Sequence, residues 1–231
     1  MARDWIAHKL GWLEQEFGAE RLREAPIVEP TPQFFPDPYD GTPAAAERLF
    51  HRVCGYMAVD PAIVELEVFD ESNRPWFVND RGDYLPGAAG TFEGSGERFL
   101  IRMERSELHR PMDCVGTFAH ELAHLRLLGE GRSDPDAFDN ELLTDLTALF
   151  FGFGTFLISS PRHWHSQLSC WPGTDVRRPE YMTLPMFAWA LALVARKRGE
   201  PDPPSWLRHL GRDARAEYRA AMRFLAAAGT A

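Results

Sequence analysis

The stretch PMDCVGTFAHELAHLRLLGE, residues 111–130, decides how the most informative part of this chain folds. Its large apolar side chains recur at spacings of three and four residues: Val115, Phe118, Leu122 and Leu125. Such spacing predicts an amphipathic helix over 111–128. Pro111 suits a first helical turn, and Gly129 or Gly131 can end the helix.

Two histidines, His120 and His124, lie four residues apart in this predicted helix. Residues at that spacing share one face, so both imidazoles can reach one metal ion. Glu121 flanks them, where its carboxylate can take a proton from a zinc-bound water and pass it to a leaving group. Random ordering of this composition would give roughly 0.02 such matches. The pattern therefore favours a zinc site over two ordinary helix histidines.

A second segment, Asn140-Glu141-Leu142-Leu143-Thr144-Asp145, opens another predicted helix over 139–151. With His120-Glu121-Leu122-Ala123-His124 it resembles the gluzincins, the thermolysin-like clan of zinc peptidases, whose second signature is Asn-Glu-x-x-Ser/Thr-Asp. The resemblance covers about residues 113–150. It implies that Glu141 is the third zinc ligand and that Asp145 orients His120 or His124 through the ring nitrogen away from the metal.

Other assignments can be weighed against the same residues. A metzincin would need glycine at 127 and histidine at 130, but the chain has Leu127 and Glu130. An aspartate of the connecting loop remains open as the third ligand: Asp134, Asp136 or Asp139. Glu141 is preferred, because Asp145 follows it one turn later on the same helical face.

The resemblance also implies a tyrosine or histidine that stabilises the oxyanion from outside the two motif helices. The candidates are Tyr181, His163 and His165. Tyr181 is preferred as the catalytic candidate, because it lies just before a predicted helix that begins near Pro185.

Elsewhere the pattern predicts an α+β fold, with a small antiparallel or mixed sheet in the N-terminal half followed by a helical half that carries the zinc helices. Helices are predicted over 3–17, around 49–57, and over 184–198 and 212–227. Alternation predicts a strand over 64–69, and an antiparallel hairpin joins 87–92 to 99–103. One domain over 1–231 is expected, with a helix and Pro-rich strap (1–42), a sheet-containing part (43–110) and a helical part (111–231).

Composition excludes several classes of protein. The formal charge of −9 argues against nucleic-acid binding, which needs an excess of clustered Lys and Arg. The uncharged runs 146–161 and 181–195 fall short of the roughly 20 apolar residues that cross a bilayer, so no membrane association is expected. Three dispersed cysteines and a charged N-terminus predict a cytoplasmic protein with neither disulfides nor a secretory signal.

The sequence thus predicts a zinc-dependent hydrolase, and the resemblance makes it a metallopeptidase that acts on a peptide or protein substrate. Zn²⁺ is the expected cofactor, and the oligomeric state is left open. One alternative is a regulatory or interaction protein that keeps a zinc site without turnover. Another is an iron or manganese protein, because two histidines and one carboxylate also ligate non-haem iron.

Overall fold

The structure is a computed structural model that describes residues 2–70, 77–78, 84–85, 90–94, 98–159 and 181–228. The helices are α1 (Ala2–Phe17), α2 (Ala19–Glu24), α3 (Pro43–Met57), α4 (Pro111–His124), α5 (Asn140–Ala148), α6 (Gly154–Leu157), α7 (Leu184–Arg198) and α8 (Arg212–Ala228). The strands are β1 (Val64–Phe69), β2 (Phe77–Val78), β3 (Tyr84–Leu85), β4 (Gly90–Gly94) and β5 (Phe99–Glu104).

The chain divides into two compact units. One unit is the continuous stretch Pro30–Pro135, which contains α3, the strands β1 to β5 and α4. The other joins Met1–Glu29 to Asp136–Ala231 and contains the remaining helices. The single domain expected over 1–231 remains a prediction.

The longest strand pairing is parallel. β1 runs beside β5 with Val64 opposite Phe99 and Phe69 opposite Glu104. β4 adds to the other side of β5 in the antiparallel sense. Residues 87–89 and 95–97 of the predicted hairpin lie outside the described residues. The two-residue strands β2 and β3 pair separately and antiparallel.

The predicted fold class requires a correction. It placed a small antiparallel or mixed sheet in the N-terminal half, followed by a helical half. The described chain is instead mostly helical, and its two longest strands pair in parallel. Alternating apolar residues identify a strand, but its partner and direction depend on contacts distant in sequence. The first two helices, moreover, belong to the unit that holds the C-terminal helices.

The helix predictions outside the sheet are confirmed, at Ala2–Phe17, Leu184–Arg198 and Arg212–Ala228. In α1 the apolar residues at spacings of four and three, Ile6, Leu10 and Leu13, are completely buried. Gly199 ends α7 in the left-handed conformation that glycine adopts without a steric penalty. Apolar periodicity and end signals therefore sufficed for these helices.

A backbone contact at Gly152 holds the beginning of the Pro-rich strap within the unit formed by Met1–Glu29 and Asp136–Ala231. The amide of Val28 donates to the carbonyl of Gly152 at 2.9 Å. Gly152 has φ 100°, and a Cβ there would lie 2.4 Å from the carbonyl oxygen of Pro26. Both the backbone angle and the close approach require glycine.

Across the described ranges, no helix combines the length and apolarity that crossing a membrane requires. Cys54 and Cys114 are free and buried. Burial raises the pKa of the Cys54 thiol to about 12 and that of the Cys114 thiol to about 11.

Candidate metal site

The helix α4 begins where the sequence predicted and presents a wide apolar face. Phe118 and Leu122 are completely buried, and the Phe118 ring meets the Phe50 ring of α3 edge-on, with centroids 5.2 Å apart. Burying one such side chain contributes about 1.5–3 kcal/mol. Beyond His124 the chain continues in a π-helical turn, Leu125–Gly129, so the histidine lies inside a continuous helical segment.

The two histidines of α4 converge on one point. Their Nε2 atoms are 3.1 Å apart, and the ring planes are nearly perpendicular, at 84°. His120 is buried, whereas His124 is partly exposed. The pair therefore has one side turned to the interior and one side that solvent or a ligand can approach.

The separation of the two nitrogens fits a shared zinc ion. Zn–N bonds of about 2.0–2.1 Å at a tetrahedral angle place two nitrogens about 3.3–3.4 Å apart. The observed 3.1 Å lies close to that value. A hydrogen bond between one protonated and one unprotonated Nε2 would give a similar distance, so metal analysis has to distinguish the two.

Glu121 adjoins this pair in the sequence and is only 4% exposed. An ionised carboxylate in such surroundings requires a hydrogen-bond donor or a cation, because losing hydration is costly. A water held beside the histidines would be such a donor. The burial of Glu121 therefore distinguishes it from a solvated surface glutamate.

Glu141, which was predicted as the third ligand, belongs with the two histidines to a group that could hold a metal ion. The ligand atoms offered by His120, His124 and Glu141 all lie within 4.8 Å of one another. Within the part of the chain that the structure describes, this is the group of three or more ligating side chains placed to hold a metal ion. Two imidazoles and one carboxylate form a donor set that zinc accepts while keeping a position for water.

Asp139, one of the alternative ligands, is engaged elsewhere. Its Oδ2 accepts a hydrogen bond from Trp5 Nε1 at 2.9 Å and pairs with Lys9 Nζ at 3.0 Å. Burial on its own raises the pKa of Asp139, but the bonds from Trp5 and Lys9 outweigh it and hold that pKa below its usual value. Asp134 and Asp136 are exposed and lie outside the metal group. These placements favour Glu141.

Asp145 has a partner that the sequence did not predict. Its carboxylate is 1% exposed, and Oδ2 accepts the backbone N–H of Met182 at 2.9 Å. Met182 directly follows Tyr181, so the Tyr181 backbone starts within one peptide unit of this carboxylate. Asp145 lies one turn after Glu141 in α5. The half-buried Tyr181, next to Met182 in the chain, therefore lies near the helix that carries Glu141.

Two other predicted candidates, His163 and His165, lie outside the described residues. Sequence reasoning missed Trp5, Lys9 and Met182, which contact the two aspartates on either side of Glu141. Trp5 and Lys9 share a helical face through their four-residue spacing. That spacing was the one available signal, and it does not indicate a partner 134 residues away.

Comparisons of the chain with protein-family models, curated proteins and solved structures returned no match. The gluzincin resemblance therefore rests on the residues of the two motif helices alone.

Proposed function

We propose that this protein is a zinc-dependent hydrolase, and specifically a metallopeptidase, in which His120, His124 and Glu141 hold the ion. The observation that carries the proposal is the convergence of the two Nε2 atoms to 3.1 Å in a group completed by Glu141. The match of both helices to the gluzincin signature supports the same assignment.

Zinc bound there would polarise a peptide or amide carbonyl and lower the pKa of a water toward about 7. Glu121, which directly follows His120 in the sequence, would accept a proton from the attacking water and return it to the leaving nitrogen. Tyr181 is the candidate donor to the developing oxyanion, since the next residue, Met182, is bonded to Asp145 of α5. Asp145 is also the candidate for orienting a ligating histidine.

The proposed substrate is a peptide or protein, in keeping with the resemblance. We also propose a cytoplasmic location. Its support is that Cys54 and Cys114 are free and buried, as expected in a reducing compartment. Nucleic acid is disfavoured as a ligand by the charge of −9.

A zinc protein without turnover, acting in regulation or interaction, is the second candidate. A structural zinc site closes its fourth position with another protein ligand and needs no proton acceptor. Glu121, which directly follows His120 in the sequence and is buried, favours the hydrolase.

The variant Glu121→Gln tests the proposal. It should retain one zinc per chain by elemental analysis but cleave a peptide library at least about 100-fold more slowly than the unaltered chain, because the proton acceptor is lost. Glu130→Gln, an exposed glutamate that follows the same helix, is the matched control and should behave as the unaltered chain. Cleavage by Glu121→Gln at the full rate would refute the role of Glu121. Purified protein that binds no zinc would refute the metal assignment. Bound iron or manganese would instead favour the iron or manganese protein named as an alternative in the sequence analysis.

A further inference from the structure

We propose that the N-terminal helix α1 sets the metal affinity of the site, because Trp5 and Lys9 anchor Asp139 and thereby position Glu141. The inference rests on the proposed function, since Glu141 is taken there as a zinc ligand. It assigns Trp5, Lys9 and Asp139 as positioning residues that do not touch the metal.

The anchor is a two-donor contact on one carboxylate oxygen. Trp5 Nε1 and Lys9 Nζ reach Asp139 Oδ2 at 2.9 and 3.0 Å. The Asp139 side chain is 8% exposed and that of Lys9 is 25% exposed, so solvent screens this pair less than an ordinary surface ion pair. Charge-assisted hydrogen bonds of this kind are stronger and shorter than neutral ones.

Asp139 transmits this restraint to α5 through the backbone. It is the residue directly before the helix, and its carbonyl accepts the amide of Leu143 at 2.9 Å. Its side chain makes no capping bond to α5. An aspartate at this position commonly caps the helix it precedes, but here its side chain is bonded to α1 instead.

Glu141 lies in the first turn of α5, two residues after Asp139. The first turn of a helix has unsatisfied amides and frays most readily when nothing restrains it. A metal site tolerates little displacement of a ligand, and losing a residue that orients a ligand weakens metal binding about 10- to 100-fold. The contact of Asp139 with α1 therefore restrains the first turn of α5 and, with it, the proposed ligand Glu141.

The test measures zinc dissociation constants by competition with a chelator, which needs no substrate. Lys9→Met and Trp5→Phe each remove one donor to Asp139 and should weaken zinc binding about tenfold. Lys9→Arg keeps a charged donor and should restore most of the affinity. Glu14→Gln is the matched control, because it breaks an ion pair of the same helix, with Lys197 Nζ at 2.8 Å, that does not involve α5.

Co²⁺ in place of zinc adds a readout that general stability would not change. Its visible absorption spectrum reports the ligand geometry, so it should shift in Lys9→Met and Trp5→Phe but not in Glu14→Gln. Wild-type affinity and spectrum in both α1 variants would overturn the inference, as would an equal loss of affinity in Glu14→Gln. If His120→Ala left zinc binding unchanged, the proposed function itself would fail, whatever the α1 variants do.

Discussion

The helices α4 and α5 carry different numbers of the proposed metal ligands, and different contacts surround those residues. In α4 both histidines lie four residues apart on one continuous helix, and an adjoining face with Phe118 and Leu122 is completely buried. In α5 a single residue, Glu141, contributes, and the residues around it are bonded to distant segments at Trp5, Lys9 and Met182. A helix that holds two ligands is specified by local spacing, whereas one that holds a single ligand depends on how it is anchored.

The largest expected effect comes from removing one ligand on each helix. His124→Ala and Glu141→Ala should each weaken zinc binding by more than about 100-fold, because loss of a ligand exceeds the effect of losing a residue behind it. The measurement is chelator competition on zinc-free protein. Asp136→Asn, which alters an exposed carboxylate outside the metal group, should leave the affinity unchanged.

These variants also distinguish the two helices. If His124→Ala lost zinc affinity and Glu141→Ala did not, Glu141 would not be a zinc ligand. If Asp136→Asn lost zinc affinity instead, the third ligand would be an aspartate of the connecting loop.

A smaller effect is expected at the second anchor of α5. Asp145→Ala leaves the buried amide of Met182 without its acceptor and should lower the free energy of unfolding by about 1–3 kcal/mol. Asp145→Asn keeps an oxygen that can accept the bond, so it should cost less. Urea denaturation of the zinc-free variants measures both. Equal stability of Asp145→Ala and the unaltered chain would show that this bond does not restrain α5.

The smallest effect concerns the packing of α4 at its first turn. Burial raises the pKa of the Cys114 thiol to about 11, above its ordinary value. Below about pH 8 the thiol is protonated in both the folded and the unfolded chain, so its titration has no effect on stability. Above that pH the unfolded chain ionises first. The stability of the unaltered chain relative to Cys114→Ala should therefore fall by roughly 1 kcal/mol between pH 8 and pH 10.

Alkylation checks the same burial independently. At pH 8 Cys114 should resist iodoacetamide in the folded protein and react after denaturation, because the thiolate is the nucleophile. Rapid labelling of Cys114 itself in the folded protein, located by peptide mass spectrometry, would contradict the packing of α4.

How far the fold was predictable differs between elements. Helices α1, α7 and α8 followed from apolar periodicity and from the residues at their ends. The parallel pairing of β1 with β5 did not, because alternation within a strand carries no information about direction. The predicted antiparallel or mixed sheet was wrong for the same reason, since the described chain is mostly helical and its two longest strands pair in parallel.

The sequence by itself determined the pair His120 and His124, because a helix places residues four apart on the same face whatever the rest of the chain does. It also placed Glu121 directly after His120. It also singled out Glu141 and Asp145 by resemblance. Only the tertiary structure brought Glu141 within 4.8 Å of the histidines, bonded Asp139 to Trp5 and Lys9, and bonded Asp145 to Met182. Those contacts join residues far apart in the chain, so they depend on packing and not on local spacing.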